Sequence, residues 1–331
     1  MKVAVVILNW NGKGLLKRFL PSVIAHSADA TIYVADNASE DGSVDYVYEH
    51  FPTVRVIQNP VNGGFAGGYN EALKHLSEDL FVLLNSDVEV TPNWLEPVIA
   101  QFETDPNLGA AQPKILDYKN RDRFEYAGAA GGFIDSLGYP FCRGRIFDSI
   151  EKDEGQYNDI TPIFWATGAC MFVRREAFWE AGGFDTDFFA HQEEIDLCWR
   201  LHSLQKTVLY VGTSTVYHVG GATLTSESPR KTFYNFRNTL LALVKNVKGG
   251  KVWWRVFLRL LLDGLAGIRF ILSGNFGHCW AVVRAHFSFY GLLPSFLKKR
   301  RHHASRISYA YTRSIVWRYF VQKRRIFREI E

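Results

Sequence analysis

Cysteine is scarce in this chain. Cys142, Cys170, Cys198 and Cys279 stand apart, with no CxxC or other paired spacing. That excludes a disulfide scaffold and a structural zinc module, and it fits a reducing, cytoplasmic setting. No internal repeat and no low-complexity segment occurs, which excludes a repeat architecture. The first apolar run, Val3–Leu8, is short, leads straight into Asn9-Trp10-Asn11-Gly12 and has no small-residue cleavage site, so it does not read as a secretory leader. A simple membrane span is also missing, because the most apolar candidate, 252–272, contains Arg255, Arg259, Asp263 and Arg269. Acid is nearly absent from the C-terminal third. Residues 230–331 hold 21 Lys/Arg against 3 Asp/Glu, net +18, whereas residues 1–229 hold 17 against 31, net −14. The overall charge of +4 conceals an acidic front and a basic tail with different partners.

What is present is a large apolar fraction, 47% over 331 residues, enough for a sizeable core. The first ~110 residues alternate short apolar strands with amphipathic helices. Strands are expected at Val3–Leu8, Thr31–Ala35, Val54–Gln58 and Leu80–Leu84. Helices are expected at Leu15–Ile24 (with Pro21 a weak point), Val44–His50 and Tyr69–Leu76. This β-α-β-α spacing implies an α/β fold with a doubly wound, mostly parallel sheet. Residues 113–160 read as a hairpin and loop region. Phe164–Arg174 reads as a buried strand, Arg175–Ala181 and Glu193–Leu204 as helices, and Thr207–Val211 and Val216–His218 as strands. From Ser228 onward the pattern is helical only, which divides the chain into a domain at 1–227 and a basic, amphipathic helical region at 228–331.

The chemistry gathers where strands end. Leu80–Leu84 runs into Asn85-Ser86-Asp87, which places a carboxylate at the carboxyl edge of the sheet, where open α/β sheets bind ligands. Asp87 is a hard oxygen ligand suited to Mg²⁺ or Mn²⁺ on a diphosphate; taken alone, the tripeptide reads first as an Asx-turn after a strand. Asp36 ends the second strand in the same way and could accept hydrogen bonds from ribose hydroxyls or a base, or cap the next element. Asn9 and Asn11 close the first strand beside it. The loop 62–68 has four glycines in seven residues, beginning Asn62-Gly63-Gly64. It permits close approach of backbone to a ligand, and its amides could face a phosphate. It is neither a Walker loop nor GxGxxG. Glu193, Glu194 and Asp196 crowd three carboxylates into one helix start, which costs repulsion unless a cation or proton answers them. One of them could serve as a general base. His218 ends a short strand, where it is either structural, a further metal ligand or a diphosphate contact.

Together these residues resemble the nucleotide-sugar-dependent glycosyltransferases of family 2, with the GT-A fold, over about residues 1–225. The branch they resemble contains bacterial rhamnosyltransferase-like enzymes of cell-surface polysaccharide synthesis. The resemblance is carried by ILNWNG (7–12), VADNASEDGS (34–43), NPVNGGFAGGYN (59–70), LLNSDVEV (83–90), GACMFVRREAF (168–178), GGFDTDFFAHQEEIDLCWRL (182–201) and VYHVGGATL (216–224), in that order. It implies that Asn9, Asn11, Asp36, Asn62, Gly63, Gly64, Asn85, Ser86, Asp87, Gly168 and Ala169 bind the nucleotide sugar, with Cys170 beside them. It also implies that Asp87 holds the metal as part of a variant DXD motif, and that the acidic motif supplies the catalytic base in an inverting displacement. By position that base is Glu194, with Glu193 and Asp196 also candidates. Two residues depart from the family pattern: Asn85 stands where the motif's first Asp usually is, and Glu194 replaces the usual Asp of a Glu-Asp pair.

The tail offers separate expectations. At about 100° per residue the four charges of 252–272 share one arc of the helix and leave a wide apolar face. That face could lie on a membrane, pack on the catalytic domain or pair with another chain as a homodimer. Lys298-Lys299-Arg300-Arg301 and Lys323-Arg324-Arg325 would favour an anionic membrane surface. No nucleic-acid module is visible, so nucleic acid is not an expected partner. The sequence therefore leads to an inverting, metal-dependent transferase at the inner face of the cell membrane. It would move a sugar from a donor such as dTDP-rhamnose or a UDP-hexose to a glycan or lipid-linked acceptor. The competing expectation is a nucleotide-sugar-binding or scaffold subunit without catalysis.

Overall fold

Strand β1 (Val3–Asn9) sends Ala4 and Val6 to one side and Val3, Val5 and Ile7 to the other, and all five are buried. A strand apolar on both faces needs cover on both, and the helices that follow supply it. In the computed structural model, which describes residues 1–220, 228–303 and 307–330, the chain continues as α1 (Lys13–Ala25), β2 (Thr31–Asp36), α2 (Ser43–His50), β3 (Arg55–Gln58), α3 (Gly64–Leu73) and β4 (Leu80–Asn85). These four strands are parallel, in the order β3-β2-β1-β4. The chain moves outward from β1 and then returns to its other side at β4, so a crevice opens between the carboxyl ends of β1 and β4. Pro21 lies on the exposed side of α1 and does not end it.

Beyond β4 the sheet becomes mixed. The next elements are β5 (Val88–Val90), α4 (Glu96–Thr104) and β6 (Leu108–Asp117). A small second sheet begins with β7 (Gly132–Asp135), β8 (Pro140–Cys142), β9 (Arg145–Ile146) and β10 (Ser149–Ile150). The chain then returns to the main sheet through β11 (Ile160–Pro162), β12 (Cys170–Arg174), α5 (Arg175–Glu180), α6 (Glu193–Ser203) and β13 (Thr207–His218). Strand β12 runs antiparallel between β4 and β6, and β13 lies parallel to β6.

Several expectations are corrected here. The two strands expected at 207–211 and 216–218 are one strand, with a register shift between Val211 and Thr215 where the gap was expected. The buried strand expected from Phe164 starts only at Cys170, because the backbone before it turns to bond the second sheet, as in Trp165 O accepting from Gly132 N. Helix α3 begins at Gly64, five residues before Tyr69, so the glycine run is part of the helix. A Cβ on Gly68 would lie 2.9 Å from Leu8 Cδ1 and Asn37 Nδ2. The glycines therefore let this helix settle closely onto the sheet.

The tail forms α7 (Pro229–Asn246), α8 (Lys251–Leu272) and α9 (Phe276–His303). It is not helical only. Strand β14 (Ala310–Thr312) adds to β7 as the edge of the second sheet. A single apolar core joins Leu240, Leu243 and Phe296 to Phe188 and Trp199 across the change in composition at 228. Charge joins them as well: Lys245 reaches Asp185 and Asp196, and Lys299 reaches Asp185 and Asp187. Arg300 donates to Val244 O and Gly249 O at the end of α7. Part of the polybasic cluster thus answers the acidic front from within the molecule. Among the described residues no helix is long and apolar enough to cross a membrane. Gly221–Leu224, the end of the last motif, lie outside the described residues.

Candidate active site

Register alone assembles the crevice. Asn9 of β1 stands opposite Asp36 of β2, and Leu8 stands opposite Asn85 of β4. The Asn9 amide donates to Asp36 Oδ1 (3.0 Å) and Ser43 Oγ (2.9 Å), while Ser39 N donates to Asp36 Oδ2 (2.9 Å). Asn9 and Asp36 are both buried, and Asn9 Oδ1 is left without a hydrogen-bond partner among the described residues. A Cβ on Gly12 would come within 2.5 Å of that oxygen, so glycine is needed there. Asn11 takes φ +50° and ties the loop, its backbone N–H donating to Ser39 Oγ and its Oδ1 accepting from Glu40 N.

The loop amides are otherwise engaged. Gly63 N donates to Asn37 Oδ1, Gly64 N to Asn62 Oδ1, and Phe65 N to Phe189 O. The expectation that these amides face a phosphate is therefore corrected: they hold the loop together. Asn37, which the sequence reading passed over, is the hub. It donates to Asn62 Oδ1 and Gly64 O and accepts from Asn59. Its signal was its place directly after Asp36. Gly64 has φ +69°, and a Cβ there would meet Phe189 O at 2.6 Å. Gly168 similarly abuts the Phe65 ring, and Ala169 O accepts from Asn85 N.

Strand β4 ends at Asn85, and Ser86-Asp87 turn the chain into β5, which pairs with the far end of β13 so that Val88 faces His218. This pairing closes a separation of 131 residues and leaves His218 Nε2 3.1 Å from Asp87 Oδ1. Asn85 Nδ2 lies 3.4 Å from the same nitrogen. On the other side of the ring, Nδ1 is 3.4 Å from Glu125 Oε2. All three ionisable side chains are buried. Burial works against the imidazolium, but Glu125 and Asp87 outweigh it and push the His218 pKa up to about 10. Two buried carboxylates require a cation between them, and in this structure the ring supplies it. A divalent ion would meet the same demand only by displacing the proton from His218 Nε2, since a ligating imidazole is neutral. Asp87 and His218 Nε2 would hold it, with Glu125 orienting the ring from behind. Among the described residues no three His, Cys, Asp or Glu side chains form a complete metal cage, so a ligand would complete the shell. Glu125 had no sequence signal: it lies in the irregular stretch after β6 and meets His218 only in the folded molecule.

The acids of α6 separate into two kinds. Asp196 is fully buried, and its oxygens accept from Arg200 Nε (2.9 Å), Lys245 Nζ (2.8 Å) and Asn246 Nδ2 (2.8 Å). Burial alone would raise its pKa, but Arg200 and Lys245 hold it well below the usual carboxylate range. Replacing Asp196 by alanine is expected to destabilise the fold by about 3–5 kcal/mol, because it strands Lys245 and Arg200 in the interior. Urea unfolding at neutral pH measures this. Unchanged stability with lost turnover would instead give Asp196 a chemical role.

Glu193 and Glu194 are different. Each has an Oε2 without a hydrogen-bond partner among the described residues. Burial, and after it the neighbouring Glu194, raises the Glu193 pKa well above normal, and burial raises that of Glu194 to about 7. The loop before them is held in unusual backbone, with positive φ at Phe189, His191 and Gln192. Helix α7 fixes it there, as Asn238 donates to Phe188 O, Ala190 O and His191 O.

Comparison with known proteins agrees with this architecture. The pattern of the family described as "Glycosyl transferase family 2" matches residues 4–182, more than half the chain. The chain belongs to glycosyl transferase family 2. This glycosyltransferase is 27% identical over 284 residues to the N-acetylglucosaminyl-diphospho-decaprenol L-rhamnosyltransferase of Mycobacterium tuberculosis, covering 80% of this chain and 90% of that one. It is 26% identical over 227 residues to the O-antigen biosynthesis protein RfbC of Myxococcus xanthus, covering 66% of this chain but 17% of the other. Among solved structures it is similar to GalNAc-T7 with UDP, GalNAc and Mn²⁺, at TM-score 0.58 and 18% identity, covering 74% of this glycosyltransferase and about half (48%) of that chain. It is also similar to the mannosyltransferase PcManGT of Pyrobaculum calidifontis in complex with GDP-Man and Mn²⁺, at TM-score 0.52 and 14% identity, covering 91% and 84%. The fold is of the GT-A type.

Proposed function

We propose that this glycosyltransferase moves a rhamnosyl or hexosyl residue from a nucleotide-diphosphate donor to a lipid-linked or glycan acceptor at the cytoplasmic face of a membrane, with inversion. The observation that carries the reading is the Asp87–His218 pair at the carboxyl edge of β4, beside Asn9 and Asp36. The relative that acts on a diphospho-decaprenol supports a lipid-linked acceptor, and the Mn²⁺ complexes of similar fold support a divalent ion.

In this reading Asn9, Asn11 and Asp36 face the nucleoside, and Asn85, Ser86, Gly168 and Ala169 line the path to the transferred sugar. Bound Mg²⁺ or Mn²⁺ would neutralise charge that grows on the leaving diphosphate. Glu194 accepts the proton of the acceptor hydroxyl as that oxygen attacks the anomeric carbon from the opposite face. Asp196 positions the helix that carries Glu194.

A thermal-shift screen tests the donor. dTDP-rhamnose or one of the UDP-hexoses is expected to stabilise the protein by about 2.7 kcal/mol at a hundredfold excess over Kd, and only with Mn²⁺ or Mg²⁺ present. Equal stabilisation with a chelator added would remove the metal from the reading.

A further inference from the structure

Helix α8 buries the centre of its charged arc together with Val252 and Val256. Arg259 and Asp263 are buried and paired at 3.0 Å, with the Arg259 guanidinium 3.5 Å from the Tyr139 ring centre and His286 3.3 Å from Asp263. The apolar arc of α8 is consequently turned outward, and α9 extends it past the turn between them. Trp254 (62% exposed), Leu265 and Leu272 (83%) share one side of α8 by helical spacing, as Phe276, Trp280 and Phe287 (73%) do on α9, and all six are exposed. At about 1.5 Å per residue the α8 part alone runs about 33 Å. So large an apolar surface on a water-facing protein marks an interaction site.

Charge selects the partner. Asp263 is the only carboxylate between residues 251 and 303, and it is buried. Lys251, Arg269 and Arg284 are exposed on these helices. A second copy set face to face would oppose cation to cation, whereas an anionic leaflet takes up both the apolar side chains and the cations. The face also leads to the active site. The α8–α9 turn meets the start of α7, where Thr232 Oγ1 lies 2.8 Å from His278 Nδ1 and the Arg284 guanidinium covers the Phe233 ring. The next residue of α7, Tyr234, stacks on Phe189, in the loop that leads to Glu193 and Glu194.

We propose that the α8–α9 hairpin lies in the plane of an anionic lipid leaflet, with its turn beside the active-site edge. An acceptor anchored in that leaflet would then present its sugar to the site from the bilayer side. The inference rests on the lipid-linked acceptor reading and supplies its docking surface.

The test uses the full chain and a Trp254→Glu/Leu265→Glu double variant, both positions being exposed. Co-sedimentation with vesicles of phosphatidylcholine and phosphatidylglycerol is expected to capture the native chain at low salt and release it as salt rises. Pure phosphatidylcholine is expected to capture far less. The variant should lose vesicle affinity by about tenfold or more, with its melting temperature and its donor hydrolysis in solution unchanged. Native-like vesicle binding by the variant would overturn the proposal. So would a native dimer, seen by sedimentation velocity, that the variant dissociates while neither protein binds vesicles. Vesicle binding is read without donor, so it stands or falls separately from turnover.

Discussion

Replacing Asp87 by alanine or asparagine is expected to lower sugar transfer by about a thousandfold or more, the scale of losing a principal electrostatic contact to a leaving group. Asparagine is the sharper of the two. It keeps the shape of the side chain and an oxygen that can accept from His218 Nε2, now 3.1 Å from Asp87 Oδ1. It removes only the negative charge. The His218 ring still has Glu125 at 3.4 Å, so the cluster retains one buried ion pair and the fold is expected to survive. What should disappear is the effect of Mn²⁺ on donor binding, because Asp87 and His218 are the two protein groups that would hold the ion. Circular dichroism with calorimetric titration of donor, with and without Mn²⁺, separates a lost site from a lost fold. Full turnover by Asp87→Asn would sink the metal assignment, and with it the claim that this strand end holds the diphosphate.

The parallel half of the fold was legible in the sequence because it obeys local rules. Strands apolar on both faces and helices of period 3.6 recur at regular spacing, and each carboxyl-edge residue, Asn9, Asp36 and Asn85-Ser86-Asp87, simply follows its strand. The antiparallel strands and the second sheet were less legible. β8, β9 and β10 are two or three residues long, too short to show a period. β14 lies in the tail, and only its pairing with β7 makes it a strand. The same limit governs the site. Asp87 could be read from the end of β4, but Glu125 could not, since nothing near it in sequence anticipates His218. The amphipathicity of α8 was legible and its orientation was not. A wheel with one charged arc normally turns that arc to water, and here its Arg259 and Asp263 are drawn inward against Tyr139 and His286 while Arg269 stays exposed.

Glu194→Gln is expected to lower kcat by about 10²- to 10⁴-fold, the range for removal of a general base, while leaving donor affinity within about twofold of native. The environment makes Glu194 the better base of its pair. Burial, and after it the neighbouring Glu194, pushes the Glu193 pKa well above normal, which works against the ionised form a base needs. Burial lifts Glu194 to about 7, where a carboxylate is basic enough to take a hydroxyl proton and still half ionised. On the acid side, kcat/KM should therefore rise with pH through about 7, and one unit below that about a tenth of the enzyme would carry the ionised base. Stability should move the opposite way. A carboxylate whose folded-state pKa is raised favours the folded protein while protonated, and that contribution is lost as pH rises through the folded value. Glutamine has no charge to lose. Above pH 7 the Glu194→Gln variant should then be as stable as the native chain or more so, while nearly inactive, which distinguishes a missing base from a damaged fold. A dead Glu193→Gln beside an active Glu194→Gln would transfer the role to Glu193. Loss of stability in Glu194→Gln above neutral pH would show that the ionised side chain is held by contacts, and that its raised pKa is not poised for catalysis.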